Sequence, residues 1–163
     1  RAPGHSLGFP FNVRRGLGLW KLLYLSDQPV VAFGEGTSEQ VLLGRALVEG
    51  AGHCGECHTP RNPIGGTAKA QWLAGAVAAE GGGTVPNITP GGADISGWSE
   101  SDIAGYLETG FTPEFDSVGG TMVEVQKNMA RLSAEDRAAI AAYLKAIPSH
   151  PNGYPAQQQK PAG

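Results

Sequence analysis

Apolar residues recur at helical spacing in a few short stretches of this chain, and long glycine- and proline-rich segments separate them. The clearest stripe is the last. Ile140, Tyr143, Leu144 and Ile147 stand at i, i+3, i+4 and i+7, one face of a helix. Ser133 with Asp136 opens that helix and Pro148 stops it, which predicts residues 134–147. Upstream, Thr37-Ser38-Glu39-Gln40 has the form of a capping box, with Thr37 as N-cap and Gln40 three residues on. A helix over residues 38–50 should follow, with Leu43, Ala46, Leu47 and Gly50 as its buried stripe. On its outer side Arg45 and Glu49 are spaced to pair, in the weaker orientation. Between these two helices, Ser99 and Asp102 cap a third, with Ile103, Tyr106 and Leu107 inward and Gly110 placed to end it.

The other segments are less regular. Arg1 to Pro10 reads as a linker. Val13–Leu25 is expected to form a short helix whose apolar residues surround its axis, so it should be buried against something. Its basic residues beside Trp20 also fit a membrane-surface helix, and packing on its own or a neighbouring domain is the plainer reading. Trp72–Ala76 suggests a short turn or helix, and the prolines make residues 85–90 extended. Thr121–Val125 is ambiguous between strand and loop. Gly81-Gly82-Gly83 lacks the lysine and the strand–helix context of a phosphate loop. Residues 149–163 read as a flexible tail. The fold class expected is all-α: a small helical domain with long loops, divided as 1–36 linker and docking helix, 37–148 compact domain and 149–163 tail.

Composition adds a puzzle. Leu, Ile, Val and Phe together make 34 of 163 residues, about 21%. That is near the level of about 20% below which chains tend to stay disordered. Yet the helical patterns are clear, so part of the core should come from something other than side chains. The net charge of −3 gives no sign of a nucleic-acid surface. No apolar run approaches the roughly 18 residues of a membrane span. The chain starts without Met and without a signal peptide, and reads as a mature or trimmed product.

One motif accounts for the missing core. The only two cysteines stand three apart and a histidine follows at once, in Cys54-Gly55-Glu56-Cys57-His58. This is the pattern of covalent c-type haem attachment. Two thiols on one turn can form thioethers to one edge of a porphyrin, and His58 then lies under the ring as an iron ligand. A thioredoxin-like dithiol should follow a strand in a βαβ pattern, which is not visible. A zinc site needs further ligands at finger spacing, and a disulfide leaves the histidine unexplained. The expected cofactor is therefore one haem c, bound through Cys54 and Cys57. An unstable apoprotein is the corollary.

For the sixth position a thioether suits haem iron. The candidates are Met122, placed in a loop just after Gly119-Gly120, and Met129, just before the last helix and equally suited to filling core. His53 is too near Cys54 to reach the far face, and His5 and His150 are expected to be exposed in terminal segments.

Beyond the attachment motif, Gly52 to Asn62, Pro86-Asn87-Ile88-Thr89-Pro90, Gly97-Trp98-Ser99 and Gly120-Thr121-Met122-Val123-Glu124-Val125 occur in an order similar to one group. The chain resembles class I c-type cytochromes found as electron-transfer subunits of bacterial membrane-associated dehydrogenases, and related di-haem cytochromes. The resemblance covers about residues 9–147. It implies an electron carrier rather than an enzyme, with Met122 as distal ligand and with Arg61, Asn87 and Trp98 holding the haem propionates. It implies redox partners (a dehydrogenase, another cytochrome or an oxidase) and a periplasmic site, associated with a membrane complex. The stretch from Phe9 to Lys21 resembles a bridge between haem domains, so an upstream haem domain of the same precursor is a further expected partner. Residues 91–96 depart from the acidic form usual in the group. The competing reading is a haem enzyme or sensor with an open or labile sixth site.

Overall fold

In the computed structural model, residues 8–9, 12–78, 83–151 and 153 are described. His5, residues 81 and 82 of the glycine run, and the tail from residue 154 onward lie outside them.

Among the described residues, six α-helices and one small ribbon follow in order: α1 Gly16–Tyr24, α2 Glu39–Arg45, α3 Cys54–His58, strands β1 Ala76–Val77 and β2 Thr84–Val85, α4 Glu100–Thr109, α5 Met122–Met129 and α6 Ala134–Ala146. The fold is mostly helical, as expected, with an antiparallel pairing of β1 and β2 added.

Helix α6 is the spine. Ser133 accepts a hydrogen bond from the Asp136 N–H at its start. The stripe Ile140, Tyr143, Leu144 and Ile147 is buried as its spacing predicts. Helix α2 crosses it at Gly44, where a Cβ would strike the Ala139 carbonyl and the Tyr143 Cβ. Only glycine lets the two backbones come this close. The crossing also corrects the expected stripe on α2: Gly44 and, beyond the helix end, Val48 are buried, whereas Leu43 is exposed. The face that can approach α6 most closely goes inward, and that is the glycine face.

Three further expectations change. Ser38, not Thr37, caps α2 and accepts from the Val41 N–H, while the Thr37 hydroxyl turns back to the Gly34 carbonyl. After Arg45 the helix widens into a π-turn, Ala46–Ala51, ahead of the cysteine motif. Glu49 on that turn does not pair with Arg45. It points inward and accepts hydrogen bonds from the N–H groups of Val30 (2.6 Å) and Val31 (3.1 Å) and from the Tyr143 hydroxyl (2.7 Å).

Helix α4 carries the reciprocal capping box of Ser99 and Asp102 and ends on Gly110 at φ 78°, both as expected. Its Ile103 and Leu107 are buried, and Tyr106 is half-buried. Residues 121–125 are neither strand nor loop, since Met122 begins α5. Gln126 locks α5 in place by donating to the Leu107 and Glu108 carbonyls at the end of α4. The Trp72 region is a single 3-10 turn, Lys69–Gln71, followed by a turn into β1. Helix α1 forms inside the predicted range but buries no residue. It touches the domain through Trp20, which donates to the Ile64 carbonyl, and Tyr24, whose hydroxyl accepts from Asn62.

Candidate functional site

The site starts at a strained backbone. His53 sits at φ 53°, in the left-handed region, and turns the chain from the π-turn into α3. Its ring is exposed and lies 3.4 Å from Glu56. Helix α3 is short enough to be little more than the motif itself, with Cys54 half-buried, Cys57 exposed and His58 buried at its end. Both thiols are free. Burial pushes the Cys54 thiol up to about 11. A dithiol redox pair needs a thiol driven the other way, toward thiolate, so this environment disfavours thioredoxin-like chemistry.

A backbone ladder holds His58. The Gly75 N–H donates to the His58 carbonyl at 2.8 Å, and the Leu73 N–H donates to the Thr59 hydroxyl at 3.0 Å. In turn the Leu73 carbonyl accepts from the Ile88 N–H at 3.0 Å. Residues 58–59, 73–75 and 86–88 are thereby laid side by side. Leu73, fully buried with φ 59°, is the strained link between them.

The consequence is at the imidazole. His58 Nδ1 lies 2.8 Å from the Pro86 carbonyl. A carbonyl can only accept, so Nδ1 carries the proton and Nε2 keeps its lone pair. Burial lowers the His58 pKa, which keeps the ring neutral, while the Pro86 bond opposes that shift. A neutral imidazole fixed through Nδ1, with Nε2 free, is the form that ligates metal. Together with two thiols on one turn, this donor set fits a covalently attached haem.

The other predicted residues differ in how they are placed. Cys54, Ile88, Trp98, Met122 and Met129 all pack against one core cluster. Met122 and Met129 are both half-buried, at the first and last positions of α5. Trp98 lies 5.4 Å from the Tyr106 ring, and its indole N–H has no acceptor among the described residues. Arg61 is exposed and donates to the Gly65 carbonyl. The Asn87 amide is committed within the fold: it donates to the His150 carbonyl at 2.7 Å and accepts from the Thr89 N–H and hydroxyl. His150 is consequently half-buried rather than exposed.

Sequence reasoning missed a second set of residues behind the motif. The Trp72 indole packs on Gly55, where any Cβ would collide with its ring. Its N–H donates to the Tyr143 hydroxyl (3.0 Å), which in turn donates to Glu49. Burial and the Glu49 bond both raise the Tyr143 pKa, so the phenol keeps its proton. The signal for Glu49 was present as an acid in an otherwise apolar stretch, but helical spacing assigned it to the wrong face.

No protein-family model matches the chain. Relatives are nonetheless clear. A di-haem cytochrome c-type protein of Cereibacter sphaeroides is 54% identical over 89% of this chain and 47% of its own length. The fructose dehydrogenase cytochrome subunit of Gluconobacter japonicus is 34% identical over 91% of the chain and 30% of the subunit. The cytochrome c subunit of the quinone-dependent alcohol dehydrogenase of Gluconobacter oxydans is 33% identical over 90% and 32%. The chain thus spans about half the length of the first and about a third of the other two. Its relatives are c-type cytochromes and dehydrogenase cytochrome subunits, in agreement with the resemblance drawn from the motifs.

Proposed function

We propose that this chain is an electron-transfer domain of the c-type cytochrome kind, carrying one haem c through Cys54 and Cys57 with His58 and Met122 as axial ligands. The observation that carries this reading is the buried, neutral His58, held by the Pro86 carbonyl at 2.8 Å with Nε2 free for iron. When bound, the haem supplies the one-electron couple; the chain supplies ligands, burial and a docking surface. The Gly119-Gly120 pair directly ahead of Met122 allows close backbone approach there and favours that methionine over Met129. With His58 and Met122 both holding the haem iron, no position would be left for substrate, so the chain would relay electrons rather than act as the dehydrogenase. Arg61 and Trp98 retain donors for the propionates. Asn87 contributes by bracing the segment that carries Pro86.

By their names the relatives serve fructose and alcohol dehydrogenases. A dehydrogenase donor and a respiratory acceptor are the partner classes we assign here, in the periplasm, where such haem attachment is completed. Among the described residues no helix is long and apolar enough to cross a membrane. Residues 37–148 form the haem-carrying unit, and the preceding segment offers a contact to a neighbouring haem domain.

Two measurements test this. Intact mass of the purified protein should show a single added haem. The ferric spectrum should show the weak long-wavelength band of iron–thioether bonding, lost in Met122→Ala and kept in Met129→Ala. Persistence of the band in Met122→Ala would reject the ligand. Absence of the band in wild type, with fast carbon monoxide binding to the ferrous form, would favour an open-site sensor or enzyme.

A further inference from the structure

A carboxylate stands behind the cysteine motif, and haem attachment and ligation leave it without a task. Glu49 lies on the π-turn Ala46–Ala51, ahead of Cys54, and is half-buried. Its oxygens accept from the Val30 and Val31 N–H groups and from the Tyr143 hydroxyl. Every one of these partners is a donor, which suits a carboxylate, a group that only accepts. Among the described residues no ion pair includes Glu49, not even with Arg45 four residues back.

The network runs from this charge to the attachment turn. The Tyr143 hydroxyl that donates to Glu49 accepts from the Trp72 indole N–H at 3.0 Å. The six-membered ring of Trp72 packs on Gly55, between the two cysteines. Glu49, Trp72 and Gly55 also line one cavity of about 250 Å³. Charge, aromatic rings and attachment turn are therefore contiguous, and the rings stand where water would otherwise screen the charge. The other charged groups on that cavity are placed differently. His53 and Glu56 are exposed and face each other at 3.4 Å, and Lys69 is exposed, so solvent and salt screen them.

Holding two N–H groups and one hydroxyl does not call for a charge, because an amide oxygen accepts bonds of the same kind. What the carboxylate adds is a fixed anion beside a site whose redox states differ by one positive charge. An anion there favours the ferric state and so lowers the potential. We propose that Glu49 is a potential-tuning residue: its carboxylate, held by Tyr143 and the Val30–Val31 backbone, lowers the reduction potential of the haem carried on Cys54 and Cys57. Tyr143 and Trp72 are positioning residues that keep this charge against the attachment turn. The assignment rests on the haem reading above and deepens it.

Spectroelectrochemical titration of the haem-loaded chain at neutral pH tests this. Glu49→Gln should raise the midpoint potential, by up to about a tenfold change in the ferric-to-ferrous ratio, or about 59 mV for one electron. Glu49→Asp keeps the charge and should stay near wild type. An unmoved potential in Glu49→Gln would overturn the proposal. So would equal shifts in Glu49→Gln and Glu49→Asp, which would mark an effect of packing rather than charge. If Glu49→Gln does not retain haem, Tyr143→Phe decides. There the phenol proton no longer offsets the carboxylate, so the potential should fall, and an unchanged or raised value overturns the proposal. The long-wavelength iron–thioether band is recorded on every sample. Its absence from wild type counts against the axial ligands, whereas an unmoved potential with the band present counts against Glu49 alone.

Discussion

At the residue scale, the least replaceable atoms are polar groups buried where water cannot substitute. Tyr143 joins Glu49 on one side and Trp72 on the other, and Trp72 in turn backs Gly55 between the two cysteines. In Tyr143→Phe, the Trp72 N–H and one Glu49 contact lose their partner. An unsatisfied buried group costs about 1–3 kcal/mol, so urea unfolding should show a loss of that size. Phe33, which meets the Tyr143 ring edge-on at 5.9 Å, remains packed in the variant. A stability equal to wild type would show that the hydroxyl is dispensable. His58 makes a related point: its chemistry depends on a backbone carbonyl that no side-chain motif announces.

At the element scale, the α2–α6 crossing is set by one missing methyl group. Gly44→Ala would drive a Cβ into the Ala139 carbonyl, which is backbone and cannot rotate away. Overpacking of a tight core contact costs typically 1–3 kcal/mol, occasionally more. The expected outcome is destabilisation at the upper end of that range by chemical denaturation, despite the better helix propensity of alanine. A neutral or stabilising effect would mean that the helices can part. The caps of α4 and α6 were legible because Ser99–Asp102 and Ser133–Asp136 are local hydrogen-bonding units. At α2 the same rule shifted by one residue, since both Thr37 and Ser38 can cap and the chain path chose Ser38.

At the scale of the whole molecule, the scarcity of large aliphatic side chains bears on how the domain holds together. The apolar cluster built around α6 draws on small residues and on partly covered side chains such as Cys54, Ile88, Trp98 and Met122. If a porphyrin completes that core, removing its attachment should weaken the entire fold. The Cys54→Ala, Cys57→Ala double variant should lose cooperative thermal unfolding and native far-UV circular dichroism. A native-like spectrum with a sharp melt would show that the polypeptide core suffices alone.

The sequence by itself determined what depends on near neighbours. Two thiols and an imidazole on one turn, the serine caps, and the i, i+3, i+4, i+7 stripe of α6 are all local, and spacing alone specifies them. Helix α5 escaped because Thr121–Val125 mixes β-branched and helix-favouring residues, and its helical state is supported by the distant Gln126 contact with the end of α4. The inward turn of Glu49 escaped for the same reason: Val30, Val31 and Tyr143 come from 19, 18 and 94 residues away. Only the tertiary structure could place the Pro86 carbonyl, 28 residues downstream, against His58. A motif names its own atoms, but the partner that fixes the protonated nitrogen, and so the one free for iron, is chosen by the fold.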